Sequence, residues 1–135
     1  MILLDNNIIR KYAHQDPDEA VLNYLSEHRT EPWGISAIVL FEFLSYYDTQ
    51  TKQRKRRSQL TQAVDTVISF DGDTAAEAAS METSLEAAGV SLDDVDLLIA
   101  ATARQHQATF VTADKNDFDK TPVHELVDID IVDAS

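Results

Sequence analysis

The sequence predicts an α/β fold of three layers, α/β/α, around a central, mostly parallel sheet of four to five strands. Two observations predict it. Short apolar runs alternate along the chain with longer helical segments, and strands alternating with helices pair in parallel with helices on both faces. No repeat, low-complexity tract or linker breaks the alternation, so the 135 residues, 1–135, are expected to form a single domain with a substantial core.

Ile2-Leu-Leu-Asp5 reads as a short buried strand, followed by a short helix through about Tyr12. Asp16-Pro17 resembles an N-cap with proline at the first helical position, opening a helix to about His28. Trp33-Gly-Ile35 is a candidate second strand. Ser36 then caps a helix through about Tyr47, although the same apolar run also reads as strand. Residues 51–66 are polar, basic and helical in character. Val67–Phe70 is a third strand, closed by a turn at Asp71-Gly72. Thr74–Ala88 is a helix rich in alanine and glutamate, stopped by Gly89 at the C′ position. Ser91 and Asp94 resemble a capping box for a helix through His106. Ala108–Val111 is the fourth strand, and the alternation in Val127–Ile131 suits a half-exposed edge strand.

Composition removes several function classes. Hydrophobic residues at 44% favour a globular chain over a disordered one. The absence of cysteine excludes a disulfide framework and a thiolate metal site. The N-terminal apolar stretch is too short for a signal segment or a membrane span, so cytoplasmic residence without a membrane partner is expected. Gly34, Gly72 and Gly89 build no phosphate-cradling loop, which removes nucleoside-triphosphate and dinucleotide binding. His14, His28, His106 and His124 are scattered without zinc spacing, and His106 suits the C-terminal end of a helix dipole.

A net charge of −13 argues on its own against a nucleic-acid partner. Such acidity also suits a salty cytoplasm, where screening tempers self-repulsion. The cations are nevertheless pooled. Lys52, Arg54, Lys55, Arg56 and Arg57 make up five of the eleven lysines and arginines. They suit either the phosphate backbone of RNA or a solvated helix face, and Lys115 and Lys120 are weaker candidates to steer substrate. Trp33, Tyr46 and Tyr47 are read as core or dimer packing in preference to base stacking.

Four acids sit in or beside apolar segments, where a carboxylate is costly unless a cation or hydrogen bonds compensate it. Asp5 ends the first strand, Glu42 interrupts Ile38–Leu44, Asp96 heads Asp96–Ala103, and Asp114 follows the fourth strand. Ligands of parallel sheets bind beyond the carboxyl ends of the strands, where Asp5 and Asp114 both lie. On its helix Asp96 shares a face with Ile99, Ala100 and Ala103, and Glu42 lies on a similarly apolar helix. Carboxylates gathered in this way repel one another, and oxygen ligands suit Mg²⁺ or Mn²⁺. Taken singly, each acid is also explained as a cap or a solvated group.

In these residues the chain resembles the PIN-domain ribonucleases, specifically the VapC-type toxins. The resemblance rests on Met1-Ile-Leu-Leu-Asp-Asn-Asn7, on Ile35-Ser-Ala-Ile38 followed by Glu42-Phe43, on Asp96–Ala103 and on Phe110–Phe118. It spans essentially the whole chain. It implies a PIN-like domain in which Asp5, Glu42, Asp96 and Asp114 are catalytic metal ligands, Asp117 is an auxiliary ligand, and Asn7 and Thr112 are supporting residues. Asn6 departs from the family's usual Thr or Ser. The implied activity is endoribonuclease cleavage by metal-activated water, with Mg²⁺ or Mn²⁺ as cofactor. The implied partners are substrate RNA, a second copy in a homodimer and a cognate antitoxin that reaches into the active-site groove. A catalytically silent PIN-fold interaction module and a housekeeping RNA-processing nuclease are the alternatives. A receiver domain and a haloacid-dehalogenase-like phosphatase both fail where Asn6 and Asn7 replace the acids they need.

Overall fold

The structure, a computed structural model describing residues 1–135, is built on a five-stranded sheet. The strands are β1 (Ile2–Leu4), β2 (Trp33–Ser36), β3 (Thr66–Ile68), β4 (Thr109–Thr112) and β5 (Ile129–Ile131). Their order is β3-β2-β1-β4-β5, and every neighbouring pair is parallel. Eight helices connect and cover them: α1 (Asn6–Ala13), α2 (Glu19–Glu27), α3 (Ala37–Ser45), α4 (Gln50–Ala63), α5 (Gly72–Ala87), α6 (Asp94–Gln105), α7 (Lys115–Phe118) and α8 (Thr121–Leu126).

The three-layer arrangement follows from the burial of the central strands. Successive strand residues point to opposite faces, yet Ile2, Leu3 and Leu4 are all buried, as are Phe110, Val111 and Thr112. Both faces of the sheet are therefore covered, as parallel sheets require. On α6, Ala100, Ala101 and Ala103 are fully buried and let the helix lie close to β4 and α5. Gly34 meets a similar demand in β2, since a Cβ there would stand 2.9 Å from Leu3 Cδ2.

Strand order places the functional end. From β1 the chain moves outward through β2 to β3, then crosses back to β4 on the other side of β1 and continues to β5. The direction reverses between β1 and β4, and at such a switch point the connections leave a crevice beyond the carboxyl ends.

Several boundaries differ from the sequence reading, for local reasons. The cap of α2 is Asp18, whose carboxylate accepts from Val21 N–H at 3.1 Å, while Asp16 N–H bonds His14 Nδ1. Pro17 thus precedes the cap. The cap of α6 is Asp93, not Ser91, and accepts from Asp96 N–H at 3.2 Å. Asp71 forms a capping box with Thr74, so α5 begins at Gly72 and β3 ends at Ile68. The apolar run after Ser36 is helix, because Ser36 Oγ accepts from Val39 N–H at 3.1 Å. Gly89 takes its C′ position with φ +73°.

The segment between β4 and β5 holds two short helices that the sequence reading left without structure. What anchors α7 is Phe118, fully buried and edge-on to Phe110 with ring centroids 5.0 Å apart. Truncation there removes a core aromatic and frees a helix too short to persist alone. Phe118→Ala is expected to cost about 3–5 kcal/mol of stability by urea denaturation.

Candidate metal centre

The centre is assembled by the β1–β4 register. Leu4 pairs with Val111, so Asp5 and Thr112, the next residues along, lie side by side. Asp5 N–H donates to Val111 O at 2.9 Å. Thr112 Oγ1 donates to Asp5 Oδ2 at 2.8 Å, and Asn7 Nδ2 approaches the same oxygen at 3.3 Å. Asn6 N–H holds the other oxygen at 2.8 Å. Asn7 also accepts from Ala113 N–H at 3.0 Å, and Thr112 Oγ1 accepts from Asp114 N–H at 3.1 Å. Asn7 and Thr112 therefore tie the end of β1 to the turn after β4 and aim Asp5. The side-chain Oδ1 of Asn6 is buried without a hydrogen-bond partner.

Around this frame the acids arrive from separate elements. Asp114 caps α7 by accepting from Asp117 N–H at 3.1 Å, and Asp117 lies in that helix's first turn. Asp96 lies in the first turn of α6. Carboxylate oxygens of Asp96, Asp114 and Asp117 lie within 4.8 Å of one another, so Asp117 stands inside the tightest cluster. Asp5 and Glu42 fall outside that triad; Asp5 is coupled by charge to Asp96 and Asp114, and Glu42 to Asp5. Asp5 is buried in the frame described above, and Glu42 comes from α3, which packs against α1 and α6.

The electrostatics show that these groups sense each other. Asp96 is pushed up to about 7, first by burial and then by the negative charges of Asp93, Asp117 and Asp5. Burial also raises Glu42, with Asp5 and Asp93 adding to it and Arg10 opposing. Asp5 is raised by burial against the lowering effect of its hydrogen bonds from Thr112 and Asn6. Asp117 is raised mainly by a hydrogen bond to Asp114, which needs a proton between the two carboxyls. A cation would relieve each of these penalties. The donor set is all oxygen and packed closely enough for one small hard cation to bridge, so the residues fit a divalent metal of the Mg²⁺ or Mn²⁺ kind.

Other candidates fall elsewhere. Lys52, Arg54, Lys55, Arg56 and Arg57 are all exposed on α4, which packs on α3. Lys52 pairs with Asp48 at 2.9 Å, whereas Arg54 and Arg57 line a groove of about 300 Å³. Lys115 is engaged with Asp133 at 2.6 Å, and Lys120 lies near enough to lower Asp117. His106 is the C-cap of α6. Trp33 packs into the core and donates to His28 O at 3.0 Å, whereas Tyr46 is 72% exposed in the single chain, so of core or dimer packing only the core is removed for it. A cavity of about 580 Å³ opens beside Asn7, with Arg10, Lys11 and His14 in its wall.

Two residues here escaped the sequence reading. Asp93 adds negative charge beside Glu42 and Asp96, and its signal was the N-cap spacing of three residues before Asp96. Arg10 donates to Phe43 O at 3.0 Å and Glu42 O at 3.4 Å, so it ties α1 to the helix that carries Glu42. Its signal was a position one turn after Asn7.

Known proteins share this fold. The chain is 29% identical over 126 residues to Toxin FitB of Neisseria gonorrhoeae, covering 87% of this chain and 91% of that toxin. It is 28% identical over 128 residues to VapC ribonuclease Y4jK of Sinorhizobium fredii, covering 88% and 91%. The solved structure of FitAB bound to an IR36 DNA fragment superposes with a TM-score of 0.77 at 27% identity, covering 97% of this chain and 94% of that one. The PIN domain family model matches residues 2–123, and the chain belongs to the PIN domain family.

Proposed function

We propose that this protein is a metal-dependent endoribonuclease that hydrolyses RNA phosphodiester bonds, and that it is the toxin of a toxin–antitoxin pair. The observation that carries the reading is the close triad of Asp96, Asp114 and Asp117 at the β1–β4 switch point, with Asp5 coupled to it by charge, Glu42 coupled to Asp5, and several of the five raised in proton affinity. Support comes from relatives named as a toxin and as a VapC ribonuclease, in a family whose nucleases depend on metal. The partners proposed are cytoplasmic RNA, a cognate antitoxin protein and a second copy of the chain.

Asp96, Asp114 and Asp117 would hold the ion, Mg²⁺ or Mn²⁺, with the buried Asp5 and the half-buried Glu42 as the remaining ligands. When bound, the ion supplies Lewis acidity at the phosphodiester and a lowered pKa for the attacking water. Asn7 and Thr112 fix the Asp5 carboxylate through their hydrogen bonds, so it does not turn away when the site is empty. Arg10 holds the carbonyl end of α3 and with it the position of Glu42. The exposed cations of α4 hold RNA that the acid cluster would otherwise repel.

Three outcomes test this. Purified protein should cleave RNA with Mn²⁺ and not in EDTA, and Asp96→Asn should lower the rate more than about 100-fold, beyond the ten- to hundredfold expected for Asn7→Ala or Thr112→Ala as outer partners. Activity without a divalent ion that survives Asp96→Asn would sink the assignment. In thermal or urea unfolding, Mn²⁺ at 100 times its dissociation constant should add about 2.7 kcal/mol, most of it lost in Asp96→Asn.

Stability of the metal-free protein should also fall as pH rises. The folded state binds more protons than the unfolded one between Asp96's ordinary value near 3.8 and its folded value of about 7, so the slope is negative across that window. Asp96 is half-buried, and solvent screening reduces its share to about 1–2 kcal/mol. Urea midpoints at pH 5 and pH 8 in EDTA measure the difference. Asp96→Asn should flatten it.

A further inference from the structure

Beside the acid cluster, α1, α3 and α4 form a groove unlike the rest of the surface. Tyr46 and Tyr47 stand at the end of α3, with ring centroids 5.3 Å apart and edge to face. Arg10 reaches them from α1, its guanidinium carbon 4.4 Å from the Tyr46 centroid and 5.3 Å from that of Phe43. Arg56 reaches from α4 and lies 5.2 Å from the Tyr47 centroid. The cavity among them measures about 360 Å³, takes in His14, and has no carboxylate in its wall. In a chain with 24 acids against 11 lysines and arginines, this groove joins two arginines to three aromatic rings without an acid, whereas the groove of Arg54 and Arg57 has no aromatic.

Tyr46 gives the groove its meaning. The ring is 72% exposed, yet an arginine holds it in place. An aromatic fixed in this way is a surface prepared for another flat group at little entropic cost. Tyr46 also follows Glu42 by four residues, so the two lie on one side of the helix, about one turn apart. That interval is of the order of one nucleotide. Neither Arg10 nor Arg56 is ion-paired.

We infer that this groove is a base-stacking subsite for single-stranded RNA. An unpaired base lies on the Tyr46 ring, its phosphate meets Arg56, and the adjoining phosphodiester is delivered to the acid cluster beyond Glu42. The inference rests on the nuclease reading above and specifies its substrate as unpaired RNA. A duplex keeps its bases stacked inside and offers no free face to Tyr46. The groove has open aromatic surface and cations but little aliphatic lining, which suits a nucleobase better than a protein side-chain cluster.

The test is RNA binding in EDTA, where cleavage is stopped, by fluorescence anisotropy with a single-stranded oligomer, its abasic counterpart and a duplex. Tyr46→Ala should weaken binding of the single strand by about tenfold, Tyr46→Phe should restore it, and the abasic oligomer should not distinguish the two. Arg56→Gln should reduce the slope of log affinity against log salt by about 0.7, the share of one phosphate contact on a single strand. Because Tyr46 is exposed, Tyr46→Ala should melt with the parent.

Equal affinity of Tyr46→Ala and the parent for the single strand overturns the inference, as does a protein that binds no RNA. Dissociation of a dimer by Tyr46→Ala in sedimentation, with RNA affinity retained, overturns it too and gives the face to a second copy. If RNA binds through Tyr46 and is never cleaved with Mn²⁺, the nuclease reading fails and the subsite stands. If RNA is cleaved with the same KM and kcat by Tyr46→Ala, only the subsite fails.

Discussion

Thr112 Oγ1 and Asp5 Oδ2 meet at 2.8 Å because Leu4 lies beside Val111 in a parallel ladder, and the rest of the centre is hung from that contact. A strand that slips by one residue turns every side chain to the other face. Here such a slip would bury Asp5 in the core and lift Leu4 into the crevice. The full burial of Ile2, Leu3, Phe110 and Val111 forbids it, so the core specifies the register and the register specifies the site. Asn7 reinforces the same junction from α1, bonding Asp5, Thr112 and the backbone of Ala113.

Holding several carboxylates together costs stability, and local structure offsets part of the cost. Asp5, Asp93 and Asp114 each cap a helix, and Asp96 and Asp117 occupy first turns, where unpaired backbone N–H groups favour negative charge. The offset is incomplete. Burial and mutual repulsion still raise Asp5, Glu42, Asp96 and Asp117, so the metal-free site is a strained arrangement of like charges. Capping and cation binding, which compete as explanations for a single acid in a sequence, are compatible in the structure. At Asp114 the cap engages Oδ1 through Asp117 N–H, and at Asp5 the cap occupies Oδ1 while Thr112 and Asn7 orient Oδ2.

Much of this was legible from the sequence because burial leaves a plain signal. Glu42 within an apolar helix and Asp96 one turn before Ile99 and Ala100 were conspicuous against their neighbours. The strands were found by their apolar runs and misplaced only at the ends, as beside the Asp71 cap, and the start of α6 was misplaced because Asp93, not Ser91, caps it. The short helices α7 and α8 carried no comparable signal. Each is below the length at which a helix persists on its own, and they exist because Phe118 and Val123 are buried. Asp93 was hidden by the adjoining Asp94, since a pair of acids before a helix looks like a solvated terminus. The place of Asp117 in the tightest cluster depends on α7 and was beyond the reach of spacing alone.

Tyr46 lies open on the surface of the single chain, for a reason that lies in the neighbouring helix. Aromatics near the end of an apolar helix ordinarily belong to a core or an interface, and the segment Phe41–Tyr47 gives no periodicity that separates buried from open rings. Phe43 is buried and Tyr46 is not, because the polar and basic α4 packs on α3 with only Leu60 buried along its length. A helix so poor in apolar residues cannot cover the aromatics it borders. It brings arginines to them instead. Charge segregation along the sequence thereby becomes segregation in space, with acids gathered at the strand ends and cations on the helix beside them. Over distances longer than a Debye length the net charge of −13 is screened, and a nearby polyanion responds to the local cations. The global sign therefore says little about what this face can bind.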